Sequence, residues 1–536
     1  MRLKKRALAA ISAAAVVSVV ASTYAIAQEP DVDKGNIVTT DAGKVRGVVE
    51  DDHRLFQGIP YAAPPKGDLR WAPPQPAEPW EGVRDASEPG SPCPQVGTPF
   101  GGDRVEEEDC LFLNVTTPKS GRTDDRKPVM VWLHGNGAIG SGDVFDASRL
   151  AADGDAVVVT LNYRLGVFGA FGHPELEDSG TLGLQDQRAA LEWVQRNAEA
   201  FGGDPGNVTL FGISFGATAV SGHLMAEKSD GLFHRAIMHS GFSLMDVPAG
   251  GLYSWLEALP WYGWRTDEET RANGETVAAE LGCADPETAL ECLRAKPVKE
   301  LLDYPQVMSI FQSYAFGNAE LPQTPREAME AGAFADVPVL AGATKDEHRT
   351  FAAIRELSGD PIEDYAAVLK TAFEDKASLV EEEYPLSDYD DNPTLAFATV
   401  MTDRMWASGT YEQNELLAAK SPTYFYEFAD RNAPTEGFPF PDHLAPGAFH
   451  NADVSYLFRS PEFAEELTPE QLRLSDQLIQ YWTTFARNGD PNGADLPEWP
   501  AFGDDGYVQS LAPGEEGITR SDYAAEHKLD FWRNLD

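Results

Sequence analysis

The sequence predicts an α/β fold with a large, mostly parallel central sheet and helices on both faces. Short runs of β-branched and apolar residues recur along the chain, at residues 129–133, 156–162, 208–213, 235–239 and 337–343. Strands buried on both faces of a parallel sheet have this composition. Between the second and third runs, apolar residues recur at helical spacing from Leu184 to Phe201, interrupted only by the polar Gln187. This alternation of strand and helix favours a wound sheet.

The remaining segments are predicted to surround that sheet. Residues 250–335 and 355–415 read as largely helical, and we expect them to be insertions above or beside the sheet. A helix near Pro469 to Arg487 is predicted to close the fold. We therefore predict one domain over residues 28–536.

Residues 1–27 have the three parts of a signal peptide. A basic start, Arg2 to Arg6, precedes an apolar stretch from Ala7 to Val20 and an A-x-A cleavage site at Ala25 to Ala27. No cysteine follows the site, so a lipid anchor is not suggested, and no other run approaches the length of a membrane span. The mature protein is predicted to be secreted or periplasmic, without stable membrane insertion.

The net charge of the chain makes some classes of binding partner unfavourable. The chain carries a formal net charge of −44, and residues 1–27 hold four basic and no acidic residues, so the mature chain carries −48. Such an excess disfavours nucleic acid and anionic membranes, which carry the same sign. An excess of negative charge is typical of the surface of a soluble protein. The alternative interpretation is that the charge steers cationic substrates toward the protein. The oligomeric state is not specified by the sequence.

Four cysteines, Cys93, Cys110, Cys283 and Cys292, can pair in three ways. Short local loops are the easiest to close, so we predict the pairs Cys93–Cys110 and Cys283–Cys292. Export would supply the oxidising conditions that disulfides require. C-x-x-C spacing is absent, so no metal site is predicted.

Residues 212–216 read Gly-Ile-Ser-Phe-Gly between an apolar strand and a small-residue helix start. In that context G-x-S-x-G predicts a nucleophile elbow, a strained turn that presents the oxygen of Ser214. The alternative is an ordinary glycine turn. A serine nucleophile requires a base, an acid that orients the base, and donors for the oxyanion.

Two downstream segments supply candidates for the acid and the base. Asp346 and Glu347 follow a predicted strand, and His450 lies in a small-residue loop with His443 seven residues earlier. The expected order is nucleophile, acid, histidine. Spacing alone does not decide between Asp346 and Glu347, or between His443 and His450.

Oxyanion donors are expected from a glycine-rich loop after an early strand. The segment Val131 to Gly137, followed by Gly140 to Gly142, has this form. A flexible surface turn is the alternative, but three glycines directly after an apolar strand favour the oxyanion loop.

Ordered segments from about residue 35 to residue 505 resemble the type-B carboxylesterase family, which includes bacterial para-nitrobenzyl esterases, animal carboxylesterases and cholinesterases. The matching segments are Gln57 to Ala62, Glu108 to Val115, Asn162 to Gly166, Gly183 to Gln187, Phe201 to Pro205 and Tyr481 to Ala486. The resemblance implies the α/β-hydrolase fold and hydrolysis of small-molecule carboxylic esters without a cofactor or metal.

The resemblance also implies roles for single residues. Ser214 takes the position of the nucleophile, Glu347 that of the acid and His450 that of the base, in place of Asp346 and His443. The backbone donors of the oxyanion hole are implied to be those of Asn136, Gly137 and Phe215. Ser240 matches a serine near the triad that helps to hold the histidine. The same resemblance supports both disulfides.

The chain departs from the family pattern beside these residues. Ile213 and Phe215 stand where glutamate and alanine are usual, Asn136 interrupts the glycines of the oxyanion loop, and His348 replaces the glycine after the acid. Backbone donors survive such changes, whereas substrate preference does not follow from the family. Cholinesterase activity is not expected, because the loop from Cys93 to Cys110 lacks the tryptophan that attracts a quaternary ammonium.

We therefore predict an exported serine carboxylesterase that acts through an acyl-enzyme with Ser214, Glu347 and His450 as its triad. The alternative is a non-catalytic binding protein on the same scaffold.

Overall fold

The computed structural model describes residues 36–97, 102–119, 126–177, 179–435, 437–458 and 467–535. The predicted signal peptide lies outside these residues. In chain order the strands are β1 (Ile37–Thr39), β2 (Lys44–Arg46), β3 (Val48–Val49), β4 (His53–Pro60), β5 (Val83–Asp85), β6 (Phe112–Pro118), β7 (Lys127–Leu133), β8 (Val157–Leu161), β9 (Gly203–Ile213), β10 (Arg235–His239), β11 (Trp264–Thr266), β12 (Tyr314–Phe316), β13 (Val339–Thr344), β14 (Thr423–Phe428), β15 (Gln509–Leu511) and β16 (Ile518–Arg520).

The helices surround the strands on both sides of the chain's central sheet. In chain order the α-helices are α1 (Ser148–Ala152), α2 (Gly166–Gly169), α3 (Leu182–Asn197), α4 (Phe215–Met225), α5 (Asp267–Glu280), α6 (Ala289–Arg294), α7 (Val298–Leu302), α8 (Val307–Ile310), α9 (Pro325–Glu330), α10 (His348–Leu357), α11 (Tyr365–Phe373), α12 (Ala377–Glu383), α13 (Pro393–Met401), α14 (Ser408–Ala418), α15 (Pro469–Asn488), α16 (Tyr523–Glu526) and α17 (Leu529–Leu535). A π-helix, Thr402–Ala407, joins α13 to α14.

Among the described residues, eleven strands form one sheet in the order β16-β15-β14-β13-β10-β9-β7-β8-β6-β4-β3. The strands from β8 to β15 in this order are parallel, and antiparallel strands complete both ends. The fold class predicted from the sequence, a large and mostly parallel sheet with helices, is confirmed. Because all these parallel strands point the same way, their carboxyl ends meet at one edge, where ligands bind in such folds.

The five apolar runs of the sequence correspond to β7, β8, β9, β10 and β13. Each residue of β7, β8 and β13 is buried, which explains their continuous rather than alternating apolar pattern. Helix α3 follows the predicted periodicity. Its polar interruption, Gln187, is buried too and donates to the hydroxyl of Tyr314 at 3.0 Å.

The segment between β10 and β13 holds α5 to α9 and a small sheet of β11 and β12, and the segment between β13 and β14 holds α10 to α14. The division of the chain into one domain with two insertions stays a prediction.

Two buried ion pairs join segments that are far apart in sequence. Arg164 donates two hydrogen bonds of 2.7 Å to Asp186, and Arg70 donates two of 2.6 Å to Glu108. Bidentate pairs of this kind fix geometry as well as supplying energy. They give a physical reason for the charged residues within the segments Asn162 to Gly166, Gly183 to Gln187 and Glu108 to Val115.

The cysteines form the two predicted disulfides, Cys93–Cys110 and Cys283–Cys292. For loops of these lengths, each cross-link stabilises the fold by about 3 kcal/mol. Through the described ranges, every helix is too short or too polar to cross a membrane.

Candidate active site

Ser214 occupies the turn between β9 and α4, at the carboxyl edge of the sheet. Its backbone has φ 57° and ψ −119°, a strained combination for a residue with a side chain. A Cβ atom at Gly216 would lie 2.1 Å from the carbonyl oxygen of Leu133, so only glycine fits there. The turn has the geometry of a nucleophile elbow and leaves the Ser214 side chain partly exposed.

His450 and Glu347 form a buried pair. His450 Nδ1 lies 2.5 Å from Glu347 Oε2, and the other oxygen, Oε1, accepts the backbone N–H of Thr344 at 2.7 Å. Glu347 is fully buried and His450 is 4% exposed. Because an ionised carboxylate only accepts hydrogen bonds, His450 donates from Nδ1. The Nε2 atom of the neutral ring is then left as an acceptor.

The rival acid and the rival base lie in other environments. Asp346 forms ion pairs with Arg349 at 2.7 Å and Arg431 at 2.9 Å. His443 is half exposed and pairs with Glu356 at 3.1 Å. Both rivals therefore interact away from the buried acid–histidine pair.

Two aromatic rings enclose the His450 imidazole. Phe351 and Trp406 have ring centroids 5.1 Å and 4.9 Å from it. Trp406 belongs to the π-helix, an irregular turn of the kind that is frequent at functional sites. The rings exclude water from one side of the imidazole, and a drier surrounding strengthens its bond to Glu347.

His348, directly after Glu347, is buried and neutral. Burial lowers its pKa to about 3. Nε2 donates to the carbonyl oxygen of Gly251 at 3.1 Å, and the Trp406 indole donates to Nδ1 at 3.4 Å. The departure from glycine at this position therefore adds no positive charge beside the acid.

The loop from His134 to Ala138 lies against the elbow. A Cβ atom at Gly135 would lie 3.2 Å from Ser214 Cβ, and one at Gly137 would lie 2.6 Å from the Phe215 ring. Asn136 has a left-handed backbone, with φ 73°, which asparagine tolerates better than most residues. Its side-chain oxygen accepts the Ala138 N–H at 3.3 Å. The loop therefore keeps a glycine-like shape in spite of the asparagine.

The backbone donors of this region differ in their present partners. The Gly137 N–H donates to the carbonyl oxygen of Gly135 at 3.1 Å. Phe215 is the first residue of α4, where a backbone N–H has no acceptor within the helix. The Gly137 N–H therefore already has an acceptor, whereas the Phe215 N–H has none within its own helix.

Ser240 lies one strand away from Ser214, after β10, and also has a positive φ of 48°. Its hydroxyl is buried and makes no hydrogen bond with any described residue. The Ser214 hydroxyl likewise makes none within the described ranges, to His450 or to another side chain.

The structure brings further residues to the site that sequence reasoning did not assign. The Gln312 side-chain amide, from the segment before β12, donates to the carbonyl oxygen of Asn136. His239 Nδ1 lies 2.7 Å from Asp453 Oδ2 next to the elbow. These partners are separated by 176 and 214 residues. Their residue types carried no signal that would have paired them.

A cavity of about 750 Å³ lies at the other edge of the sheet. Leu224 and Met225 at the end of α4, His234 before β10 and Val337 before β13 are among its lining residues. Because these positions precede parallel strands, the cavity opens away from the elbow. The predicted site residues do not line it.

Comparison with known proteins agrees with the fold. The model of the carboxylesterase family matches residues 34–532. The chain is 37% identical over 532 residues to the cocaine esterase of Oryctolagus cuniculus, covering 92% of this chain and 95% of that protein. It is 36% identical to the pyrethroid hydrolase Ces2a of Mus musculus, covering 88% of this chain and 87% of that protein. It is 35% identical to the acylcarnitine hydrolase of Rattus norvegicus, covering 93% and 91%. The chain belongs to the carboxylesterase family.

Proposed function

We propose that the protein is a serine carboxylesterase in which Ser214 is the nucleophile, His450 the base and Glu347 the acid. The observation that carries the proposal is the buried bond between Glu347 Oε2 and His450 Nδ1 at the edge where the elbow presents Ser214. That bond leaves Nε2 as the proton acceptor that a serine nucleophile needs.

The reaction would proceed in two acyl transfers. Ser214 Oγ bonds to the acyl carbon as its proton moves to His450 Nε2, and the oxyanion accepts hydrogen bonds from the backbone of Asn136, Gly137 and Phe215. The C–O bond to the alcohol then breaks, and His450 returns the proton to the leaving oxygen. Water repeats the sequence on the acyl-enzyme and releases the acid.

The substrate is proposed to be a small carboxylic ester. Cocaine, pyrethroids and acylcarnitines, which give three relatives their names, are all carboxylic esters. Ile213 and Phe215 flank the nucleophile, so their side chains are the first candidates for distinguishing one ester from another. We also propose that the protein is exported, which the two disulfides support.

Labelling with a fluorophosphonate tests the assignment directly. We expect one phosphonyl group per chain, located by mass spectrometry on the peptide that contains Ser214, and a para-nitrophenyl acetate burst of about one equivalent. Heat-unfolded protein is the control, because labelling that persists without the fold reports general reactivity. A folded protein that takes no label would instead support the non-catalytic binding protein.

Phe215 is expected to limit the length of the acyl group. Its ring stacks on Tyr314 with centroids 4.7 Å apart and covers Gly137. Phe215→Ala keeps the backbone donor and opens space, so we expect kcat/KM for octanoyl relative to acetyl para-nitrophenyl esters to rise about tenfold.

Tyr314→Phe is the matched control for that change. It retains the stacked ring and removes only the hydroxyl that accepts from Gln187. Its chain-length profile should equal that of the wild type. The hypothesis is wrong if Phe215→Ala leaves the profile unaltered, or if Tyr314→Phe changes it equally.

A further inference from the structure

His239, the last residue of β10, contacts both halves of the candidate catalytic machinery. Its carbonyl oxygen accepts the backbone N–H of Ser214 at 2.8 Å. Its ring is fully buried and extends to Asp453, whose Oδ2 lies 2.7 Å from Nδ1. Asp453 follows His450 by three residues in the same turn. One residue thus joins the peptide of the nucleophile to the loop of the base.

The orientation of the His239 ring is fixed from its other side. The Trp482 indole of α15 donates to Nε2 at 2.9 Å. Because an indole N–H only donates, Nε2 must be the acceptor, which places the proton of the neutral ring on Nδ1. That proton faces Asp453. The Tyr426 hydroxyl from β14 donates to the same Asp453 oxygen at 2.9 Å.

The Asp453 side chain is a buried carboxylate that stays ionised. Burial alone raises the pKa of its carboxyl, but the hydrogen bonds that it accepts from His239 and Tyr426 hold that pKa below its usual range. Its second oxygen, Oδ1, is buried without a hydrogen bond from any described residue. A buried carboxylate with an unused oxygen interacts strongly with a nearby positive charge, and the charge that forms nearby during catalysis is that of His450.

We propose that His239 is a positioning residue that fixes the elbow and the base loop relative to each other, through its carbonyl to Ser214 and its ring to Asp453. The inference rests on the proposed triad. The backbone contact holds Ser214 whatever the side chain, whereas only the ring holds the loop of His450. Loss of the ring therefore leaves the nucleophile in place and frees the base to move.

The side-chain test compares His239→Leu with His239→Asn. Leucine removes the donor to Asp453, and a displacement of the base by about 1 Å lowers kcat about 100-fold. KM should change by less than about threefold, because binding groups are untouched. The asparagine amide can donate where Nδ1 did, so His239→Asn should recover at least about tenfold of the lost kcat.

Asp453→Asn tests whether the negative charge of Asp453, and not only the packing of its side chain, acts on His450. The amide has the same shape and still accepts from His239 and Tyr426, so only the negative charge is lost. Among the described residues, the titratable groups that interact with His450 are Glu347, the neutral His348 and Asp453. Removing one negative charge makes the His450 imidazolium less stable, so the acidic limb of the kcat/KM profile should move to lower pH.

Wild-type labelling by a fluorophosphonate is measured first, because its failure would refute the proposed function and not the role of His239. Given a labelled wild type, unchanged kcat in His239→Leu would overturn the inference. Equal losses in the leucine and asparagine variants would overturn it as well. If His239→Leu does not fold, His239→Phe, which fills the same space without a donor to Asp453, decides, and an unchanged kcat in that variant contradicts the inference.

Discussion

Ser214→Ala is expected to lower kcat for para-nitrophenyl acetate about 10⁶-fold and to abolish labelling by a fluorophosphonate. Alanine lacks the oxygen that forms the acyl bond, so no other contact at the site can replace it. The substitution removes one partly exposed atom from a residue whose backbone is held by His239 and Thr218. We therefore expect the fold and the melting temperature to be retained.

Ser240→Ala is the matched control for this change. Ser240 directly follows β10, the neighbouring parallel strand, also has a positive φ and lies beside the proposed triad. Its buried hydroxyl makes no hydrogen bond with any described residue, so its loss should lower kcat by no more than about tenfold. The assignment of the nucleophile fails if Ser214→Ala retains the burst, or if Ser240→Ala is the variant that loses it.

Much of the sheet and the elbow was predictable from the sequence because both depend on local rules. A strand buried on both faces must be apolar throughout, as β7, β8 and β13 are. Gly212 is required by the backbone of Gly216 in its own turn, and Gly216 is required by the backbone of Leu133 at the end of β7, the neighbouring strand in the sheet. Such constraints leave a pattern in a few consecutive residues.

The choice between Glu347 and Asp346 as the acid of the proposed triad cannot be made from the neighbouring residues alone. Both carboxylates follow β13, and their spacing is equivalent from the sequence. What separates them is their partners, of which Arg431 and His450 are distant in sequence: Arg431 and the nearby Arg349 pair with Asp346, whereas Glu347 turns into the interior toward His450. A family resemblance could make this choice, whereas periodicity and spacing could not.

The contacts of Gln312, His239 and Asp453 were beyond sequence reasoning for the same reason. Glutamine before a strand and histidine at the end of one are ordinary residues in those positions. They lie at the site because they contact partners more than 170 residues away, which the order of the strands in the sheet brings together. Gln187 is a similar case. It interrupts an apolar helix face because its side-chain amide donates to a tyrosine 127 residues later in the chain.

Glu347→Gln is expected to lower kcat about 10⁴-fold, with little change in KM. Glutamine has the size of glutamate and can still accept from Thr344 N–H, so the loop should keep its shape. Its amide can, however, donate to His450 Nδ1 and favour the tautomer with the proton on Nε2. In that tautomer the ring cannot take the proton of Ser214, and the negative charge that stabilises the imidazolium is also lost.

Asp346→Asn is the control that distinguishes the two neighbouring carboxylates. Asp346 holds Arg349 and Arg431 and accepts the backbone N–H of Ala448 at 3.0 Å, so its replacement weakens ion pairs and not the bond to His450. We expect Asp346→Asn to lower the melting temperature while kcat falls less than about tenfold. A stopped-flow burst separates acylation from deacylation in both variants, and Glu347→Gln should slow both steps, because His450 serves as the base in each. If Asp346→Asn lowered kcat as severely as Glu347→Gln at equal folded fraction, the acid could not be assigned to Glu347.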